Sequence, residues 1–118
     1  MSTTETAPLL TPNFVDSETI AWEQVGEGVK RKVLSYDKNL MMVRVAFETG
    51  GVGALHQHPH IQMSLIESGV FEIEIEGVKN ILKAGDVFYV HSNLIHGAVC
   101  KEKGVLVDVF NPMREDFV

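Results

Sequence analysis

Between Gly50 and Gln62 the chain reads Gly-Gly-Val-Gly-Ala-Leu-His-Gln-His-Pro-His-Ile-Gln, which holds three of its five histidines. On an extended strand residues two apart share a face, so His56 and His58 can point into one cavity. Imidazole nitrogens suit divalent Zn, Ni, Fe, Mn or Co, and several converging on one point form a metal site. Gln62 has the same parity and can add an amide oxygen once the chain resumes beyond Pro59. A fourth ligand must come from a distant strand, and His96, after the Ser92-Asn93 turn, is the candidate. The expected set is therefore His56, His58, Gln62 and His96 around one divalent ion. These residue types leave the choice of metal open. His60 shares the parity, but Pro59 interrupts the strand, which places it beside the set rather than in it.

A second group of chemical interest closes the chain. In Leu106-Val107-Asp108-Val109-Phe110 the odd positions Val105, Val107 and Val109 form one apolar face, and Leu106, Asp108 and Phe110 share the other. A carboxylate between Leu and Phe is expected to be partly buried, which is costly unless it is paired or protonated. Burial raises such a pKa and a nearby cation lowers it; either shift accompanies functional carboxylates. Arg114 follows Asn111-Pro112, a turn that could fold it back over a barrel mouth. Its planar fork can hold a carboxylate bidentately, although by itself it reads more readily as a solvated terminal arginine. Glu115 and Asp116 read as an exposed acidic end. Met41, Met42 and Met63 read as core filler, and Cys100 as a small buried hydrophobe with no base placed beside it.

Strands must position these groups. Turn signals recur from Gly26 onward at intervals of about 8 to 12 residues, the rhythm of a sandwich or barrel. They include Asp37-Lys38-Asn39, Gly50-Gly51, Ser68-Gly69, Gly85-Asp86 and Lys103-Gly104. Between them lie β-rich runs at Val29–Tyr36, Leu40–Glu48, Met63–Ile66, Val70–Glu76, Val87–Val90, Ala98–Cys100 and Val105–Phe110. Phe71-Glu72-Ile73-Glu74-Ile75-Glu76 alternates strictly, with Phe71, Ile73 and Ile75 toward the core. No stretch offers three turns of helical periodicity. The expected fold is all-β, a small antiparallel barrel or double-sheeted jelly roll that manages its edges, with a short helical turn after Pro112.

The Ser-, Thr- and Pro-rich residues 1–13 read as a flexible N-terminal arm and residues 14–118 as one domain, the usual size for a chain of 118 residues. A hydrophobic share of 45% and a charged share of 22% suit a globular protein. The net charge of −6 argues against a nucleic-acid or anionic-membrane partner, since both need a cationic surface. A single cysteine excludes an internal disulfide framework. No Lys or Arg precedes Lys30, so the basic opening of a secretory signal is missing. The expected location is the cytoplasm.

The histidine segments resemble two known motifs. Gly50, His56-x-His58, Gln62 and Gly69 are spaced like the first cupin motif, with Gln where many cupins carry Glu. Gly85, His91 and His96 resemble the second, with His91, Asn93 and Cys100 standing where Pro, Gly and Asn are usual. Beyond the motifs, Trp22 to Leu34, Asn39 to Val43, His56 to His60 and the ending Asp108-Val109-Phe110-x-Pro112-x-Arg114-x-Asp116-Phe117 are similar to the pectin-degradation KdgF family of single-domain cupins. That resemblance implies a metal on His56, His58, Gln62 and His96, with Asp108, Phe110 and Arg114 at the reaction site. It implies ring opening of 4,5-unsaturated uronates from pectin or alginate to the linear 5-keto-4-deoxyuronate. It also suggests a homodimer, through an edge strand near Trp22.

Two other functions compete. A cupin dioxygenase would bind O2 at a redox metal, yet the Glu of some oxygenating cupins is here Gln62. A non-catalytic sugar-acid binding module would need no proton shuttle, and no DNA-binding helical segment or basic patch accompanies the site.

Overall fold

Two long strands, β5 (Ile61–Ile75) and β8 (His96–Asn111), carry the architecture of the computed structural model, which describes residues 11–118. They pair antiparallel from Ile61↔Asn111 to Ile75↔His96. Their register shifts between Ile66 and Phe71, and such bulges bend a strand and increase its twist. At this crossing a Cβ on Gly69 would lie 2.5 Å from the Glu102 carbonyl oxygen, and one on Gly104 2.0 Å from that of Ser68. Only glycines permit the two backbones to approach so closely. The turns expected at Ser68-Gly69 and Lys103-Gly104 are therefore not turns. Gly69 has a positive φ of 83° as a turn glycine would, but both chains run on through the bend.

The other strands attach to the two halves of this ribbon. β1 (Glu23–Gly26), β2 (Val29–Tyr36) and β3 (Met41–Phe47) continue outward from the second half of β8. β4 (Val52–His56) pairs with the first half of β8. β6 (Val78–Lys83) and β7 (Val87–Val90) pair with the two halves of β5. All pairings are antiparallel, and β1 is an edge strand, as the region near Trp22 suggested.

The bend brings inner faces together. Val29, Phe47, Ile66, Phe71, Ile73, Cys100 and Leu106 form one buried cluster, with Phe47 and Phe71 edge to face at 5.2 Å. The alternation predicted for Phe71 to Glu76 is present, as is the buried Cys100. Burial holds the Cys100 thiol above its ordinary pKa, as suits an inert side chain. A smaller cluster of Met41, Val43 and Phe110 lies toward the C-terminal segment, against Met113 and Phe117. Met42 and Met63, expected in the core, face outward at 42% and 49% exposure. Each sits on a strand whose alternate residues, Met41 and Val43 or Gln62 and Ser64, point inward.

The expected helical turn is a 3-10 turn at Glu115–Phe117. Most of the N-terminal arm expected over residues 1–13 lies outside the described residues; within them Thr11 donates a hydrogen bond from its hydroxyl to the Tyr36 carbonyl. Among the described residues no helix is long and apolar enough to cross a membrane.

Candidate metal centre and cavity

β4 delivers His56 and then ends, so His58 is not on the strand as its spacing suggested. It is instead buried in the connection before β5, where its carbonyl accepts from the Asn93 amide at 2.7 Å. β5 supplies Gln62, and β8 opens with His96, which stands opposite His56 in the sheet. The structure thereby gathers His56, His58 and His96 so that one ring nitrogen from each lies within 4.8 Å of the others.

Backbone carbonyls set the tautomers. The Nδ1–H groups of His56, His58 and His96 donate to Ala54, His60 and Leu94 at 2.8, 3.1 and 2.9 Å. In a neutral imidazole this leaves each Nε2 as a bare acceptor. Gln62 turns its amide the same way: its Nε2 donates to Ser64 Oγ at 2.9 Å, so Oε1 faces the histidines. That oxygen lies 3.1 Å from His58 Nε2 and 3.2 Å from His96 Nε2. Acceptors crowded together with no proton between them repel, unless a cation lies among them. Bonds of roughly 2.0–2.1 Å to a shared ion would place neighbouring donors about 3.0–3.4 Å apart. The donor set therefore fits one divalent metal ion.

Charge states agree. Burial, then the Arg114 guanidinium, holds the His58 pKa below its ordinary value. Burial, with smaller contributions from His56, His58 and Arg114, takes His96 down to about 4. Neutral imidazole is the form that binds metals. His58 and His96 are buried while His56 is exposed, so the centre is open on one side.

The same cavity, of about 190 Å³, is lined by His56, Gln62, His96, Asp108, Phe110 and Arg114. Asp108 faces inward on β8, as its alternation with the valines required, and stands opposite Ser64. Removal from water pushes its carboxyl up to about 6, against the opposing influence of the Ser64 hydrogen bond and of Arg114. Phe110 is buried against His58, with ring centroids 5.7 Å apart. The Arg114 guanidinium returns over the rings of Phe110 and Phe117, at 5.3 and 4.4 Å. Its Nε and Nη2 donate to Asp116 at 3.1 and 3.0 Å, and this pairing holds the Asp116 carboxyl below the usual range. Asp116 is exposed, as expected of an acidic end, yet it also grips this arginine.

Two residues, Ser64 and Arg31, escaped the sequence reading, and His60 has a contact that the reading did not supply. Ser64 joins Gln62 to Asp108; its only trace is parity with Gln62 on a strand. His60 stays outside the donor set, and its Nε2–H donates to the Met113 carbonyl at 3.0 Å, pinning the segment that carries Arg114. Arg31 lines the cavity, and its trace is the interruption of an apolar face in Val29-x-Arg31-x-Val33.

With this geometry in view, the chain can be compared with known proteins. Residues 43–110 match the cupin domain family. The pectin degradation protein KdgF of Dickeya dadantii is 46% identical over 107 residues, covering 89% of this chain and 96% of that protein. An RmlC-like cupin from Shewanella frigidimarina superposes with a TM-score of 0.88 at 41% identity, covering 91% of this chain and 96% of the other. KdgF from a Halomonas species superposes with a TM-score of 0.87 at 37% identity, covering 91% and 99%. The chain belongs to the cupin family and, within it, to the family of the pectin degradation protein KdgF.

Proposed function

We propose that this protein is a metal-dependent isomerase that opens the ring of 4,5-unsaturated uronate monosaccharides from pectin or alginate breakdown, giving the linear 5-keto-4-deoxyuronate. One observation carries the reading: Gln62, Ser64 and Asp108 form an unbroken hydrogen-bond chain from the three-histidine cluster to a half-buried carboxyl, which removal from water pushes up to about 6. Kinship with the pectin degradation protein KdgF supports a substrate released from pectin.

The substrate carries a carbon–carbon double bond between the ring oxygen's carbon and its neighbour, beside the carboxylate. Opening needs the anomeric hydroxyl to lose a proton as the bond from anomeric carbon to ring oxygen breaks, which leaves an aldehyde and an enolate. The enolate then ketonises by taking that proton back on the neighbouring carbon, so the net change is an isomerisation. Asp108, ionised above about pH 6, takes the first proton and, once protonated, returns one to carbon. Ser64 donates to the same carboxyl at 2.6 Å and fixes its orientation. Arg114 anchors the acid group, and Phe110 offers an apolar wall to the sugar ring. A divalent ion on His56, His58, Gln62 and His96 would supply Lewis acidity toward the developing enolate. Neutral ligands leave its double charge uncancelled, which favours an anionic sugar acid despite the net charge of −6.

The test is incubation of nickel- or zinc-loaded protein with unsaturated galacturonate, following loss of its ultraviolet absorbance and the appearance of the keto acid by NMR. Conversion above the uncatalysed rate is expected. Oxygen uptake would mark a dioxygenase instead, and tight binding without turnover a binding module.

A further inference from the structure

β2 alternates its side chains about Arg31. Val29 pairs with Phe47 and Val33 with Val43, and these belong to the two interior clusters. Arg31 stands between the two valines, opposite Val45, which in turn faces Leu106. By the period of two, its side chain enters the interior. Lys30 and Lys32 go the other way, with their ammonium groups 4.8 and 4.7 Å over the Trp22 ring.

The Arg31 side chain is 19% exposed and ends in the cavity that holds His56, Gln62, His96 and Asp108. Its guanidinium lies 3.8 Å over Phe117, the ring that also receives Arg114. Its Nε donates to Glu23 at 3.1 Å, and Glu23 is 62% exposed. Among the described residues, its terminal nitrogens have no hydrogen-bonded acceptor. Asp116 is close enough for Arg31 to help hold its carboxyl low, yet no hydrogen bond joins them. Arg114 differs, because one edge of its fork is already filled by Asp116.

An inward guanidinium with open donors is costly, and a valine or leucine would continue the apolar face at no such cost. The open edge of Arg31 matches a carboxylate in two parallel hydrogen bonds. We propose that Arg31 is a specificity-determining residue that binds the carboxylate of the sugar acid together with Arg114, adding an open fork to one that Asp116 already holds in place. This rests on the cavity being a sugar-acid site.

The full chain, loaded with nickel or zinc, would be titrated with galacturonate and with galactose, its uncharged counterpart, and binding read by NMR. Wild type should prefer the acid. Arg31→Gln should weaken acid binding about 10- to 100-fold, the range for a charge-assisted hydrogen bond, and leave galactose unchanged. Arg31→Lys should recover part of the loss, since the charge stays and the fork does not. Unchanged acid affinity in folded Arg31→Gln overturns the proposal, as does no acid preference in wild type. An equal loss for both sugars also overturns it, because that is what a mere prop for Phe117 would give. If Arg31→Gln does not fold, Glu23→Gln decides. It removes the carboxylate hydrogen-bonded to Arg31, so acid affinity should rise, and an unchanged or lower value overturns the proposal. Turnover of unsaturated galacturonate is measured in parallel. No turnover in wild type, with acid preference lost in Arg31→Gln, sinks ring opening and leaves Arg31 standing; turnover with unaltered affinities does the reverse.

Discussion

Ser64 and Asp108 face each other across β5 and β8, and the Ser64 hydroxyl donates to the Asp108 carboxyl at 2.6 Å. The serine also accepts from the Gln62 amide, so one hydroxyl fixes two groups. It keeps the amide oxygen on the histidines and a lone pair of Asp108 engaged. Removing it should disturb both proton transfer and the carboxyl pKa.

Ser64→Ala should therefore keep its metal but turn over more slowly. The hydrogen bond lowers the Asp108 pKa, so its loss should move the acid limb of the pH–rate profile to higher pH. Rates across pH 4.5–8, with metal content by elemental analysis, check this. An unmoved limb would mean that Asp108 does not set it.

Asp108 itself should show as an acid limb near pH 6, with activity rising as the carboxyl ionises. Asp108→Ala should lose about 10²–10⁴-fold in rate, typical for a proton-transfer group, with metal retained. NMR of product formation in substrate excess is the measurement. Wild-type rates in a folded, metal-loaded variant would make Asp108 structural.

The same carboxyl has a cost in stability. Its folded pKa of about 6 lies above its ordinary value of 3.8, so the folded state holds a proton that the unfolded state releases. Stability from this group is present below about pH 4 and is lost as pH rises to 6 and beyond. At about 1.4 kcal/mol per pKa unit the loss is on the order of 3 kcal/mol. Asp108→Asn in chelator-treated protein should raise Tm at pH 7.5 and bring little gain at pH 4. Thermal melts at both pH values decide it.

The donor set makes a separate prediction. His56→Ala should lose bound metal, whereas Gln62→Glu should keep it and work less well on an anionic substrate. The added negative charge weakens both Lewis acidity and attraction for a carboxylate. Unchanged metal content and turnover in His56→Ala would show the ligand set to be wrong.

Arg114 depends on two local partners, the Asp116 carboxylate and the segment pinned by His60. Arg114→Ala should depress turnover, and Arg114→Lys should rescue little, because lysine cannot pair bidentately with Asp116. His60→Ala should raise KM more than it lowers kcat, by loosening the Met113 carbonyl that fixes the segment. Steady-state kinetics on both variants check this.

Local pattern was enough for much of the molecule. The alternation of Phe71 to Glu76, the two faces of Val105 to Phe110 and the strands Val29–Tyr36 and Val87–Val90 were legible because side-chain period follows from backbone geometry alone. The convergence of His56, His58, Gln62 and His96 was legible because closely spaced imidazoles at one strand parity are expected to face one point. Tertiary structure decided the rest. Glycines at Gly69 and Gly104 look like turns in sequence, since a positive φ and a close backbone crossing call for the same residue; only the pairing of β5 with β8 distinguishes them. The strand Val78–Lys83 went unread because it is an edge strand with little burial and no alternation. Ser64 meets Asp108 across 44 residues of chain, and Arg31 meets Phe117 only when the C-terminal turn folds back. Such meetings depend on register and closure, which no local period encodes.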